Sequence, residues 1–382
     1  MLLLYKFLIV FVLYLLLKVI FRIKYPFWSI QPVFHYHNLY YWLAPPGIIS
    51  SKMPKKHKTY FDNSIVFKEE EQLTNNEKNN MIDLLQQHYL RTNDVNYVPS
   101  KEVTFSYLQN LCYSSLIGLK YDTTLIKNIQ HDKLIGIITG RPISCYLDNQ
   151  EMAVNYVDYL CVHKKYRKKQ IAPKLIHSYY VKQRNLQPNC VFLFKRESSK
   201  TAYVPLTSYL SYAFDLTYRK KPVKKYAFRF QVEHLREIYD IFYQIKKVFR
   251  CCLFSSLSNI ETLLKNNAIY LYGILNKHKL HALYIFKNGE TTIDNHSTIE
   301  CVCSYKTPNL KDMIFYNGFL NALYEMKHLD RKTLLLDNVG HNYILINNFM
   351  KKNSPLFCST NSYYFYNFAY RPVLSKDVFI LH

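Results

Sequence analysis

The sequence predicts an α/β or α+β chain of two similarly ordered halves behind an apolar N-terminal helix. Three observations carry this. An apolar run rich in β-branched and aromatic residues, 157–162, reads as a buried strand, and a helix starts near Ala172 soon after it. Pro173 falls in that helix's first turn, where a missing N–H costs little. A strand pair over 133–146 around Gly140-Arg141-Pro142, and a strand at 190–194, complete a β-β-α-β unit with helix 172–181. Beyond a polar, basic link at 217–225 a comparable order recurs, without visible identity between the halves.

In chain order, residues 1–21 are strongly apolar, with an unbroken run from Phe7 to Leu17 between Lys6 and Lys18. Counting snorkelling lysines, about 20 residues are available, just enough to span a bilayer. No small-residue cleavage site follows, so residues 1–24 read as an uncleaved transmembrane anchor. Lys18, Arg22 and Lys24 favour a cytoplasmic location for the rest. An interfacial helix or an apolar arm packed on the domain are the alternatives. Residues 25–33 read as an aromatic linker with a Pro-fixed turn, and 45–58 as a loop. Residues 76–89 carry Met81, Leu84, Leu85 and Tyr89 at helical spacing. The second half reads as helix 232–249, strands 269–275, 280–286 and 299–304, helix 310–326, strand 333–337 and helix 343–350.

A net charge of +23 implies acidic partners, namely nucleic acid, an anionic membrane face or a polyphosphate ligand. No nucleic-acid motif accompanies the charge, so nucleic acid is not expected as a partner. Eight glycines leave no glycine-rich nucleotide loop. The nine cysteines form no paired framework. Cys251-Cys252 are adjacent, and Cys301-x-Cys303 is too tight for usual zinc spacing, so no metal site is expected. They read as reduced thiols, mostly buried. No G-x-S-x-G elbow or Cys–His spacing marks a nucleophile; Cys161 reads as core and His163 as a surface or phosphate-side residue.

The strand at 157–162 runs into His163, Lys164, Lys165, Arg167, Lys168 and Lys169, six basic residues in seven positions. Strand, basic turn and helix N-terminus together make a physically sensible anion site. Arg167-x-x-Gln170-x-Ala172 resembles the pyrophosphate loop of acetyl-CoA-dependent N-acyltransferases, with glutamine replacing the first glycine. The longer string, Leu160-Cys-Val-His-Lys-Lys165-x-Arg167-x-Lys169 followed by Ile171-Ala-Pro173-x-Leu175-Ile176, resembles eukaryotic N-myristoyltransferase. Tyr25-x-Phe27-Trp28-x-x-Gln31-Pro32-Val33 resembles that family's N-terminal signature, which wraps the acyl-CoA.

The resemblance implies an acetyltransferase-like (GNAT) fold in two tandem pseudo-symmetric halves, residues 25–216 binding acyl-CoA and 217–382 binding peptide. Acyl-CoA contacts are then expected from Tyr25, Phe27, Trp28, Leu160, Cys161, Val162, Arg167, Lys168, Lys169, Gln170, Ile171, Ala172 and Pro173. It further implies a monomeric enzyme with myristoyl-CoA as co-substrate and no other cofactor, here with the apolar anchor in place of the family's soluble extension. The myristoyl group would pass to the N-terminal glycine amine of peptides or proteins. That chemistry needs no side-chain nucleophile. The oxyanion would rest on two backbone N–H groups of a bulged strand, corresponding to Tyr159 and Leu160. The base would be the C-terminal carboxylate, here of His382. Tyr363-Tyr-Phe-Tyr-Asn367-Phe368 resembles the family's closing segment, and Asp337 a peptide-side aspartate.

Departures lie mostly on the peptide side. Phe192-Leu193-Phe194-Lys195 stands for Y-T-A-G, 210–214 for R-Y-W-H-R, and 353–357 for a glycine-rich loop; Asp158 replaces an asparagine. Two rival readings therefore accompany the transferase: an acyl-CoA-binding protein without activity, and an acetyl-CoA-dependent amine acetyltransferase.

Overall fold

The structure is a computed structural model. It describes residues 2–382 except 92–93, 110–113, 127–128, 198–200, 202, 217–221, 223, 225 and 277–278, so most of the predicted 217–225 link lies outside the described residues. The chain begins with α1 (Leu2–Lys24), α2 (Leu39–Leu43), β1 (Gly47–Ile48), β2 (Ile65–Glu69) and α3 (Asn75–His88). It continues through β3 (Val95–Tyr97), α4 (Lys101–Leu108), β4 (Leu116–Ile126), β5 (Ile129–Leu147), β6 (Gln150–Val162), α5 (Ile171–Leu186), β7 (Phe192–Glu197) and β8 (Thr207–Asp215). The remainder comprises β9 (Phe228–Phe230), α6 (Leu235–Lys246), β10 (Cys251–Phe254), α7 (Leu257–Lys265), β11 (Ile269–Asn276), β12 (Lys279–Ile293) and β13 (His296–Lys306). Last come α8 (Asp312–Glu325), β14 (Thr333–Asp337), α9 (Asn342–Phe349), β15 (Phe357–Tyr366), β16 (Phe368–Ala369) and β17 (Val378–Leu381).

One mixed sheet carries the fold, its main path running β17-β10-β5-β6-β7-β15-β8-β14-β13-β12-β11-β9. β15, late in the chain, sits between β7 and β8 and joins the two ends of the sheet. Helices start where the chain supplies caps. Thr74 and Glu77 form a reciprocal capping box at α3, and Ser256 caps α7.

Residues 133–146 were expected as a strand pair turning at Gly140, but they form part of the single strand β5. Gly140 pairs with Val157 in mid-strand, and a Cβ there would lie 2.2 Å from the Tyr179 hydroxyl. Close packing of α5, rather than a turn, therefore explains this glycine. Pro142 is tolerated because β4 ends opposite Gly140 and β10 begins opposite Ser144, so no neighbour on that side needs its missing N–H. The expected helix 232–249 is shorter, giving way to β10, whose four residues are all buried.

Residues 2–24 form a helix, but among the described residues no helix is long and apolar enough to cross a membrane. The expected transmembrane anchor is corrected on that finding. The uninterrupted run of 7–17 is about 16 Å of helix, against about 30 Å of hydrocarbon. Lys6 closes it on one side and Lys18, Arg22 and Lys24 on the other. Phe21 rests on the rings of His35 and His37 (4.9 and 5.0 Å), while Leu8, Val10, Leu13 and Leu16 stay exposed.

Candidate active site

β6 and β7 run parallel and pair at Asn155–Phe192, Tyr156–Leu193 and Val157–Phe194. Pairing stops there although the strands continue to Val162 and Glu197. The two strands thus part like a fork. On its other edge β6 is bulged: Gly140 opposes Val157 and Ile138 opposes Leu160, leaving Asp158 and Tyr159 opposite the single residue Thr139. The bulge takes in Tyr159 but not Leu160, which pairs with Ile138 beyond it. The Tyr159 N–H already donates to the Thr139 hydroxyl, at 3.1 Å.

The fork opens on a cavity of about 520 Å³. One end is aromatic, walled by Trp28, Tyr179, Phe192, Phe194, Tyr203 and Tyr366; the other carries Asp158, Lys195, Glu197 and Glu300. Thr291 and Glu300 come from β12 and β13, so both ends of the sheet contribute. The aromatic end follows from sequence: alternate residues of β7 face one side, and α5 presents Ile176, Tyr179 and Tyr180 to it.

Beyond Val162 the chain makes a short 3-10 turn at Lys164–Tyr166 and enters α5 through Lys168 and Gln170, both in the left-handed region (φ 66° and 60°). Gln170, where the resembling loops have glycine, takes that conformation without being glycine. The N–H groups of Ile171 and Ala172, in the first turn of α5, have no intrahelical partners and point out of the helix beside this turn. Lys168 and Lys169 are exposed around it, and the Lys169 ammonium lies 5.0 Å from the Tyr166 ring.

The other predicted residues divide. Trp28 lines the cavity, 4.8 Å from the Tyr203 ring. Phe27 packs against Tyr60 (5.1 Å), and Tyr25 against Phe21 at the end of α1 (5.3 Å). Leu160 lines the cavity; Cys161 points into the opposite core, where burial pushes its thiol up to about 12, an inert group. Arg167 turns back, donating to the carbonyls of Val162 (3.3 Å) and His88. His163 is not a surface residue: it is buried on the His88 ring at 4.0 Å, because Nδ1 accepts from the Lys165 N–H (3.2 Å) and caps the turn. The signature segments at 25–33 and 363–368 dock on each other, with Tyr366 donating to Gln31 (2.5 Å) and the Asn367 N–H to the Pro32 carbonyl (2.7 Å).

His382 is buried, its ring 4.2 Å from that of Tyr156 and its Nδ1 3.3 Å from Arg141. Arg141 in turn donates to Asp158 at 2.6 Å and to Ser255 at 2.9 Å. Asp337, at the end of β14, accepts from Ser211 and stands beside Glu300. Burial pushes its carboxyl up to about 7, with Lys195 pulling against it and Glu300 adding to it. Sequence reasoning missed Lys195, Glu300 and the Arg141–Asp158 pair. The available signal was charge within otherwise apolar strands, as in Phe192-Leu193-Phe194-Lys195.

A forked strand pair thus stands beside a basic turn and opens on an aromatic cavity. Residues 49–188 match the model of the myristoyl-CoA:protein N-myristoyltransferase N-terminal domain. A glycylpeptide N-tetradecanoyltransferase of Plasmodium falciparum is 30% identical over 105 residues, 26% of this chain and 24% of the relative. One of Dictyostelium discoideum is 35% identical over 51 residues, 13% of this chain and 12% of the relative. The chain thus matches about a quarter or less of these relatives' length. The structure of Saccharomyces cerevisiae N-myristoyltransferase with bound myristoyl-CoA superposes with a TM-score of 0.72 over 92% of this chain and 94% of the other, at 14% identity. The chain thus resembles N-myristoyltransferases in sequence over residues 49–188 and in fold over most of its length.

Proposed function

We propose that the protein transfers a long-chain acyl group, myristoyl in the first instance, from its CoA thioester to an N-terminal glycine amine. One observation carries the reading: a single cavity joins an aromatic pocket to the β6–β7 fork beside a basic turn. The acyl chain fills the Trp28–Tyr366 end, the thioester lies in the fork, and the CoA phosphates meet the first-turn N–H groups of α5 with Lys168 and Lys169. The acceptor enters from the polar end and its amine attacks the thioester carbon directly. The Leu160 N–H and, on exchanging Thr139 for substrate, the Tyr159 N–H receive the oxyanion. We assign the base to the carboxylate of His382, which the burial of that residue beside Tyr156 and Arg141 supports. A binding-only reading draws support from the Thr139 hydroxyl, which already engages one expected oxyanion donor.

The test is transfer from labelled myristoyl-CoA to a panel of Gly-initiated peptides, by the chain ending at His382 and by one carrying an extra residue after it. Transfer by the first alone, with equal acyl-CoA binding by both, is the expected outcome. Binding by both without transfer to any peptide would leave the binding-only reading standing.

A further inference from the structure

Lys195 is the first residue of β7 past the last β6–β7 pair, Val157–Phe194. It lines the cavity together with Asp158 and Leu160 on the opposite lip of the fork. Its side chain is 24% exposed, and it carries the one lysine ammonium among the cavity-lining residues. A lysine at such depth needs partners. Its Nζ lies 3.7 Å from Glu300 and 5.9 Å from the Tyr209 ring centre. The Glu300 contact is longer than a hydrogen bond, so ammonium protons remain for a further acceptor.

Of the neighbouring cations, Arg141 holds Asp158 and Ser255, and Arg196, which also lines the cavity, reaches the Tyr203 hydroxyl at 3.5 Å. Lys287 stands 5.2 Å from the Tyr107 ring and is pulled down to about 8 by burial. Of the two backbone donors on the opposite lip, one is engaged by Thr139. Burial alone would pull the Lys195 ammonium down, but Tyr209, Glu300, Asp337 and Tyr363, which face it, outweigh that and hold it well above the ordinary lysine value. It therefore keeps its proton throughout any step at neutral pH.

We propose that Lys195 is the cation that stabilises the negative charge acyl transfer develops in the fork, first on the thioester oxygen and then on the departing sulfur. The inference rests on the acyl-transfer reading above and names a further catalytic residue for it. The acceptor amine, relieved of one proton by the base, forms the C–N bond as the carbonyl pair moves to oxygen. That pair returns as the C–S bond breaks, its electrons leaving on the CoA sulfur. The amine's second proton passes to solvent, which reprotonates the thiolate. Lys195 gives up no proton; it lowers the energy of the anion opposite Leu160. A purely structural lysine would instead serve to tie β7 to β13 through Glu300.

The experiment uses the full chain as wild type, Lys195→Met, Lys195→Gln and Lys195→Arg. Three quantities are read: affinity for myristoyl-CoA, turnover at saturating myristoyl-CoA, and the pH at which the thiol of bound CoA ionises, followed by thiolate absorbance. Expected are Lys195→Met affinity within about threefold of wild type, turnover lower by about a hundredfold or more, and ionisation of bound CoA at higher pH. Lys195→Arg should return the ionisation towards wild type; Lys195→Gln substitutes for the methionine variant if that one does not fold. Unchanged thiol ionisation in the uncharged variants overturns the proposal, as does undiminished turnover. A wild type that binds myristoyl-CoA but acylates no peptide would sink the transferase reading separately, and the thiol titration would still decide Lys195.

Discussion

At the aromatic end of the cavity, the proposed acyl side, the walls are rings, and their polar atoms are tied into neighbouring side chains: Tyr179 donates to Asn155, and Tyr366 to Gln31. On the acceptor side the walls are ionisable, with Arg141 on Asp158, Lys195 near Glu300, and Asp337 beside both. The first surface selects by area and shape and holds no net charge. The second is a network in which removing one member leaves another buried without its partner. The family-model match ends at residue 188, before Lys195, Glu300 and Asp337. Within the match fall Tyr179 and Tyr180 of the aromatic end and Arg141 and Asp158 of the charged end, so it takes in part of each.

The contrast makes the acceptor side the more fragile to single changes. Arg141→Met should cost about 3 kcal/mol in denaturant unfolding, because Asp158 loses its partner in a nearly dry site. Adding Asp158→Asn should recover much of that loss; additive losses would mean that the two residues do not act as a pair.

Asp337 sharpens the same point through pH. Its folded-state value is raised, from 3.8 to about 7, so the folded chain keeps a proton that the unfolded chain releases. Stability must then fall as pH rises from about 4 to about 7 and level off above that. Asp337→Asn cannot ionise and should lack this component, gaining on wild type by at most about 4 kcal/mol across the window. Glu290, also raised to about 7, contributes the same slope to both proteins and cancels in the difference. Parallel curves for the two would show that Asp337 ionises in the folded state as it does in the unfolded one.

The acyl side should respond more gently and in binding alone. Trp28→Ala should weaken myristoyl-CoA by about tenfold, the loss of part of one aromatic wall, and leave acetyl-CoA affinity unchanged. Calorimetry with the two thioesters checks this. Equal weakening of both would place Trp28 against the CoA moiety instead of the acyl chain.

Much of this was legible in the chain. The 157–162 strand, the basic turn and the Pro173 helix start stand where local signals put them, because each depends on neighbours in sequence. β14 was read to the residue, from a short apolar run closed by Asp337. Gly140-Arg141-Pro142 misled because turn residues are also what a mid-strand bulge beneath a packed helix requires. The short strand β10 was not anticipated at all, since four apolar residues have no period of their own. The apolar N-terminus was read too far, its length being counted through charges that interrupt it.

By itself the sequence determined the local grammar: strand, basic turn, helix, and an aromatic composition fit for a lipid chain. It also carried the resemblance to N-myristoyltransferases, through strings whose spacing is local. Only the tertiary structure decided which charges meet. Lys195 and Glu300, or His382 and the Arg141–Asp158 pair of the β5–β6 hairpin, lie far apart along the chain and come together because β15 joins β7 to β8 and β10 carries β17 against β5. Such pairings depend on strand order, and strand order is fixed by the summed burial of the whole sheet, which no short stretch of residues encodes.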